Sequence, residues 1–175
     1  EVSMREFENG LFYVCENLTR EIARNGEGVT KLITVDVDGA KTKAQAQRIG
    51  KLVVNSPLVK TAVYGSDPNW GRVIMAVGKS FDPSIQANNV SIRFGDAPVF
   101  KKGAPVPCDL EALRAYLSQK EVSINVDLGI GKASARVILG RAAPATNGAR
   151  AACAFIGPRA DHRPVDRRRA SRHRR

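Results

Sequence analysis

The segment from Gly65 to Arg72 constrains the fold more than any other, because it combines the only tryptophan of the chain with residues that start a helix. Asp67 followed by Pro68 supplies a side-chain acceptor for the first turn and a residue whose missing N–H costs nothing at that position. The pair therefore predicts that a helix begins here. Apolar residues follow at helical spacing on one face, and Gly78 then supplies a stop: Trp70, Val73, Ile74 and Val77.

Two polar residues of this segment, Asn69 and Arg72, fall near the open amide end of the same helix. Backbone N–H groups at such an end favour carboxylates and other anionic ligands. Capping and packing alone are the commoner reason for such a pattern, since capped amphipathic helices are frequent in soluble domains. An anion site and a purely structural helix both remain open at this point.

The net charge of +11 is concentrated at one end of the 175-residue chain. All ten lysines precede residue 141, whereas residues 141–175 carry ten arginines against two acids. These last residues show almost no periodic apolar pattern and offer little apolar surface to offset the entropy of ordering them. We therefore expect one domain over residues 1–140 and a disordered tail rich in arginine and alanine over residues 141–175.

Cysteine usage and hydropathy indicate the broad class of the protein. Cys15, Cys108 and Cys153 are far apart and show neither CxxC nor Cys/His metal spacing. No run of about 18 apolar residues indicates a membrane span, and the acidic, polar start is unlike a signal peptide. We expect a soluble cytoplasmic protein with reduced thiols, no metal site and no membrane partner.

Periodicity along residues 1–140 predicts alternating helices and strands. Helical spacing predicts a first helix over about 4–24, a second from Thr42 to Ser56 and a later one that Asp109 starts. Alternating or short apolar runs predict strands at Ile33–Val37, Val59–Tyr64, Val90–Phe94, Ala97–Phe100, Val122–Val126 and Ala133–Leu139.

The order of these elements predicts the fold class. The strand, helix and strand between residues 33 and 64 imply a right-handed crossover between parallel strands. Glycine-containing turns predict two antiparallel pairs, one within residues 90–100 and one that returns Ala133–Leu139 beside Val122–Val126. We therefore expect an α+β domain with a mixed β-sheet and crossover helices packed on one of its faces.

Asp36 and Asp38 alternate with the apolar residues of the first predicted strand. Two such acids could act as metal ligands. Alternating acids are more often the solvent-facing side of a half-buried strand. We therefore expect both side chains to be exposed.

Glu27 lies between Gly26 and Gly28 in the sequence GEGVTK, which joins the first helix to the first strand. This is no dinucleotide loop, because the fingerprint needs a third glycine where Lys31 stands and runs from a strand into a helix. We expect no cofactor here. The glycines allow a ligand to approach the backbone closely, so Glu27 could pair with a substrate ammonium group. An exposed loop acid would give the same local pattern.

A histidine-activated nucleophile cannot be assembled from residues 1–140. His162 and His173 both lie in the arginine-rich tail. If the chain belongs to an enzyme, the nucleophile is either activated without histidine or lies elsewhere.

Three longer stretches resemble the ornithine acetyltransferase family of arginine biosynthesis, also called glutamate N-acetyltransferase: NGEGVTKLITVDVDGA, NSPLVKTAVYGSDPNWGRVIMAVGKS and VSINVDLGIGKASA. The resemblance covers about residues 1–137, which correspond to the latter part of the family's β chain. It therefore implies the fold of that β chain. Family members are made as one precursor that cleaves itself before a threonine. The freed threonine is the nucleophile that carries an acetyl group from N-acetylornithine to glutamate, and some members also use acetyl-CoA to make N-acetylglutamate.

The resemblance assigns a substrate-binding role to Glu27. The family's DPNWGR motif is matched here by Asp67, Asn69, Trp70 and Arg72. For this motif the resemblance implies a capped helix that positions the substrate site. The threonine lies upstream of this chain, so no catalytic residue is expected within it. The implied partners are the family's α chain, which supplies the oxyanion donors, and the missing start of the β chain, in an oligomeric enzyme acting on N-acetylornithine and glutamate.

The tail departs from the family pattern, because family members end in a segment that contributes an Asn and a hydroxyl residue to substrate binding. Its composition is typical of GC-rich DNA translated in a shifted frame. We expect this chain alone to be inactive. One alternative is an interaction module that occupies the place of the normal β chain in a larger complex. Another is a basic nucleic-acid-binding protein that acts through the tail. Against it, Phe155 is the only aromatic residue there on which a base could stack.

Overall fold

The computed structural model describes residues 3–26, 29–142 and 152–157. These ranges contain both helices and strands. The helices are α1 (Met4–Arg24), α2 (Lys43–Asn55), α3 (Pro57–Tyr64), α4 (Trp70–Gly78) and α5 (Leu110–Leu117), with a 3-10 turn at Ala87–Asn89. The strands are β1 (Val29–Ala40), β2 (Ser91–Phe94), β3 (Ala97–Lys101), β4 (Ala104–Pro105), β5 (Glu121–Asp127), β6 (Ala133–Ala142) and β7 (Ala152–Gly157).

These strands form one mixed sheet in the order β4-β3-β2-β5-β1-β6-β7. The long strand β1 lies between a parallel and an antiparallel neighbour, since Val35 stands opposite Ile124 of β5 and Val137 of β6. The remaining pairs are antiparallel. The α+β class with a mixed sheet is therefore confirmed.

Residues of β1 alternate between two different environments. Ile33, Val35 and Val37 belong to the main core, which also contains buried residues of α2, α3, α4 and α5. Leu32 instead packs with Ala23 of α1 and Ile138 of β6. Because successive side chains of a strand point to opposite faces, α1 lies on the face opposite α2, and the expectation that all helices pack on one face is wrong.

An ion-pair triad holds α1 on this second face. Arg136 of β6 donates to both carboxylate oxygens of Asp36, at 2.7 and 3.2 Å, and to Glu16 of α1 at 2.7 Å. The Arg136 and Glu16 side chains are 13% and 12% exposed, so the triad is largely dry. Burial disfavours the charged guanidinium, but the hydrogen bonds and charges of Asp36 and Glu16 outweigh it and raise the pKa of Arg136 above its ordinary value.

The expectation that Asp36 is exposed is therefore wrong, because α1 covers it and Arg136 pairs with it. Asp38, two residues further along the strand, is half-buried. The close approach of α1 also explains Gly140 of β6. A Cβ there would stand 1.7 Å from the Ala23 carbonyl oxygen.

The predicted strand at Val59–Tyr64 is wrong, because these residues belong to helix α3. Ser56 ends α2 and also caps α3, accepting a hydrogen bond from the Val59 N–H at 3.4 Å, and Pro57 occupies the first turn. A short apolar run fits a buried helix as well as a strand. The predicted crossover between residues 33 and 64 is consequently wrong, and the parallel neighbour of β1 is β5.

Other strand predictions hold with changed partners. The pair formed by β2 and β3 is confirmed, but β6 lies beside β1 and β7 rather than beside β5. The loop after β3 contains the two-residue strand β4. Within the segment expected to be disordered, Ala152–Gly157 forms β7 and pairs with β6; residues 143–151 and 158–175 lie outside the described residues.

Candidate functional site

The GEGVTK motif begins at the end of α1 and finishes on β1. Glu27, the predicted substrate-binding residue, lies outside the described residues, as does Gly28. The two ends of the connection are hydrogen-bonded to each other, since the Val29 N–H donates to the Gly26 carbonyl at 3.0 Å. The role of Glu27 therefore stays a prediction, and the described surroundings of the motif define the candidate site.

Lys31 ties the last position of this motif to two helix ends. Its Nζ donates to the carbonyl oxygen of Val63 in α3 at 3.0 Å and to that of Leu117 in α5. Carbonyls at a helix C-terminus lack helical partners and carry partial negative charge, so they suit an ammonium group. Burial lowers the pKa of Lys31 from its ordinary value.

A cavity of about 650 Å³ opens beside the motif. It is lined by Arg24 of α1, residues 29–32 of β1, and Lys120 and Glu121 at the start of β5. Glu121 binds Arg20 at 2.8 Å and also pairs with Arg24. Burial opposes ionisation of Glu121, but hydrogen bonds and charge from Arg24 and then Arg20 outweigh it and lower the pKa of Glu121. The cavity wall therefore carries both signs of charge, as a site for a zwitterionic amino acid requires.

A larger cleft of about 800 Å³ is lined by residues of both α1 and α5. Arg20 and Glu121 line it, together with the Asp36–Arg136 pair and Arg93. We assign the candidate site to the smaller cavity, because residues 29–31 of the motif line that cavity and are absent from the lining of the larger cleft.

The Gly65–Arg72 segment starts a helix two residues later than predicted. The cap is Asn69, whose side-chain oxygen accepts from the Arg72 N–H at 3.3 Å, and α4 begins at Trp70. Asp67 instead supports the cap, since its Oδ2 accepts from Asn69 Nδ2 at 3.2 Å and lies 3.7 Å from Arg72. The prediction of a capped helix holds, but its cap residue is corrected.

Arg72 and Trp70 of this segment contact neighbouring elements of the protein. Arg72 Nη1 donates to the Leu58 carbonyl at 3.1 Å and to Thr61 Oγ1 at 3.0 Å, both in α3. The Trp70 ring stacks on Phe100 of β3, with centroids 4.6 Å apart. Both side chains are engaged in packing, which favours the structural interpretation of this segment over an anion site.

The two motifs meet at the C-terminus of α3. The Val63 carbonyl accepts from Lys31 Nζ, while the preceding Ala62 carbonyl accepts from the Asp67 N–H at 2.8 Å. One turn of helix thus carries the end of GEGVTK on one side and the start of DPNWGR on the other. Sequence reasoning missed Lys31 and Glu121, because their partners are distant along the chain; a basic residue at the end of a glycine-flanked acidic motif was the one available signal.

Within residues 3–26, 29–142 and 152–157, no group of three or more His, Cys, Asp or Glu residues is placed to hold a metal ion. No helix in these ranges combines the length and apolarity that a membrane crossing requires. Cys15 and Cys108 are exposed free thiols.

Comparison with known proteins shows the family of the chain. The fold is that of an α+β domain, and a crystal structure of the arginine biosynthesis bifunctional protein ArgJ from Bacillus halodurans matches it with a TM-score of 0.74 and 38% identity. That match covers 81% of this chain and 66% of the solved chain. A sequence model of the ArgJ family matches residues 1–140. The chain belongs to the ArgJ family.

Curated relatives agree with this assignment. Glutamate N-acetyltransferase Oat2 of Streptomyces clavuligerus is 51% identical over 135 residues, which are 74% of this chain and 34% of the relative. The arginine biosynthesis bifunctional protein ArgJ of Rhodococcoides fascians is 46% identical over 134 residues, 75% of this chain and 33% of the relative. The chain spans about a third of the length of these relatives. The family resemblance is confirmed, and nothing in these matches supports the nucleic-acid-binding alternative.

Proposed function

We propose that this chain is part of a glutamate N-acetyltransferase of arginine biosynthesis, which moves an acetyl group from N-acetylornithine to glutamate. The observation that carries the proposal is the match of residues 1–140 to the ArgJ family, together with 51% identity to a relative named as a glutamate N-acetyltransferase. Acetyl-CoA is a second acetyl donor in bifunctional members. The cytoplasm is the proposed location.

The proposed reaction has two halves. A threonine hydroxyl attacks the acetyl carbonyl of N-acetylornithine, an ester forms, the C–N bond breaks and ornithine leaves with the proton. The glutamate amine then attacks the ester and releases the hydroxyl. The threonine and the oxyanion donors belong to the rest of the family polypeptide, namely the α chain and the start of the β chain, within an oligomeric enzyme.

This chain's own contribution is to bind and orient the substrate. We propose that the Glu27 carboxylate pairs with the substrate ammonium group beside the cavity that Arg24, Lys31 and Glu121 line. The bonds from Lys31 to Val63 and Leu117 support this role, because they fix the strand that follows Glu27 against two helices. Such fixing reduces the cost of ordering a binding loop when the substrate arrives.

The test supplies the missing part of the enzyme. The chain is combined with the two thirds of Streptomyces clavuligerus Oat2 that it does not match, and transfer of acetyl from N-acetylornithine to glutamate is followed. We expect Glu27→Gln to lower kcat/KM by about 10- to 100-fold, the range for loss of a hydrogen bond to a charged group. Glu8→Gln, an exposed acid of α1, is the matched control and should change it less than twofold.

Two outcomes would contradict the proposal. Absence of transfer from an assembled complex would refute the acetyltransferase function of this chain. Equal activity of the Glu27→Gln and Glu8→Gln complexes would refute substrate binding by Glu27.

A further inference from the structure

Helix α1 presents an apolar stripe to solvent. Its members lie three or four residues apart on one side of the helix: Met4, Phe7, Leu11, Val14, Leu18 and Ile22. Each exposes between 51% and 73% of its surface. Scattered exposed apolar residues are ordinary, but six in a continuous row indicate an interaction surface.

The opposite side of α1 explains why the stripe faces outward. Glu16 reaches Arg136 on the sheet, and Ala23 packs with Leu32 and Ile138. Turning the stripe toward the sheet would break this triad and leave buried charges without partners, which is strongly unfavourable. The stripe is therefore available to a partner while α1 stays docked.

The first half of α1 is more exposed than the second half. Every residue from Ser3 to Leu11 is exposed, whereas the buried residues Glu16 and Ala23 lie in the second half of the helix. Isolated helices of this length are marginal in water, and most helical stability comes from packing an amphipathic face. A partner on the stripe would supply that packing.

We propose that the stripe of α1 docks the part of the ArgJ-family polypeptide that this chain does not span. The proposal rests on the proposed function and names the surface that receives the missing part. Relatives are about three times as long as the matched region, so a segment of the required size exists in the family. A nucleophile carried by that segment must reach the GEGVTK motif, and the stripe ends at Ile22, three residues before Asn25 begins the connection to that motif.

A second copy of this chain is the competing occupant. Two copies could cover each other's stripes, because such a seam is self-complementary. A second copy would bring no nucleophile to the GEGVTK motif. A docked family segment would both cover the stripe and complete the site.

The first test measures association directly. The full chain is mixed with the unmatched two thirds of Streptomyces clavuligerus Oat2, and binding is measured by sedimentation. We expect the double variant Leu11→Gln with Leu18→Gln to weaken binding at least about 100-fold, since each buried leucine contributes about tenfold or more. Tyr13→Gln, which removes an exposed aromatic residue outside the stripe, should leave binding within about twofold. Circular dichroism checks that all variants fold.

A second measurement covers the case in which the separate pieces fold poorly. The Oat2 segment is joined to this chain in one polypeptide, and hydrogen exchange of the amides from Met4 to Leu11 is compared with that in the chain alone. We expect at least tenfold slower exchange in the joined polypeptide. Equally fast exchange in both would overturn the proposal, as would equal binding by the stripe and control variants.

The outcomes also separate this proposal from the proposed function. A complex that the stripe variants weaken, but that transfers no acetyl group, would uphold the docking surface and refute the activity. A chain that dimerises alone through the stripe and does not bind the Oat2 segment would overturn the docking proposal in favour of a second copy.

Discussion

The ammonium group of Lys31 lies 3.0 Å from the carbonyl oxygen of Val63. This bond joins the end of the GEGVTK motif to the helix from which the DPNWGR segment departs. Asp67 binds the neighbouring carbonyl of Ala62, so the two motifs share one helix end. Helix α3 therefore couples the two motifs. Their spacing along the chain does not indicate this proximity.

Replacing Lys31 tests this coupling. Lys31→Met keeps an unbranched side chain but removes the bonds to Val63 and Leu117. We expect the free energy of unfolding to fall by about 2 kcal/mol, the range for hydrogen bonds that involve a charged group. Urea titration measures it. Lys51→Met, at an exposed position of α2, should stay within about 0.5 kcal/mol, and equal losses for both variants would contradict the anchoring role.

Loss of the ion-pair triad beneath α1 should lower the free energy of unfolding more than loss of the Lys31 bonds. Arg136→Met leaves Asp36 and Glu16 buried without their cation. Removal of one partner from a buried ion pair costs about 3 to 5 kcal/mol, and helicity should fall as α1 loosens. Arg93→Met is the control, because Arg93 is an exposed arginine of β2 on the same face. The midpoint temperatures of thermal unfolding are measured by circular dichroism. Equal midpoints for the two variants would refute the role of the triad.

Two substitutions at the start of α4 distinguish the role of Asn69 from that of Asp67. Asn69→Ala removes the bond to the Arg72 N–H, and we expect a loss of about 1 kcal/mol. Asp67→Ala removes only the support of that cap and a 3.7 Å ion pair, so about half that loss is expected. Chemical denaturation of the two variants side by side measures the difference. A larger loss for Asp67→Ala would restore Asp67 as the cap.

Acid stability should depend on Asp82. Hydrogen bonds from Gln45 and Ser84, with the charge of Arg48, lower the pKa of Asp82 from 3.8 to about 2. A carboxyl group with a lowered pKa stabilises the fold above its unfolded value, and this contribution is lost as the pH falls from 3.8 toward 2. Asp82→Asn should therefore lose less stability between pH 5 and pH 2.5 than the unchanged chain. Asp96→Asn, at an exposed turn position, should keep the original profile in the same urea titrations, and a profile changed equally by both would refute the assignment.

Periodic elements could be predicted from the sequence, because their pattern is local. The first helix, the helix after Thr42 and the strand Glu121–Asp127 follow directly from apolar spacing. The strand predicted at Val59–Tyr64 failed, since six mostly apolar residues fit either structure and Ser56 with Pro57 serves as both a stop and a start. Strand partners failed for a different reason, because pairing depends on distant residues that no local pattern specifies.

The candidate site shows the same division. Glu27 could be singled out by its glycines and by family resemblance, but the anchoring of Lys31 could not, since its partners lie 32 and 86 residues further along the chain. The orientation of α1 was equally hidden. Its apolar spacing gives no sign that Glu16 and Ala23 would take the sheet-facing side, because that choice depends on Arg136.

The position of β1 has a consequence for how the chain folds. Both neighbours of β1 come from the far end of the domain, and the pair of Asp36 with Arg136 spans 100 residues. Contacts of such long range slow folding, because the intervening loop must close before they form. During synthesis the central strand must therefore wait, unpaired on both edges, until residues 121–142 have left the ribosome.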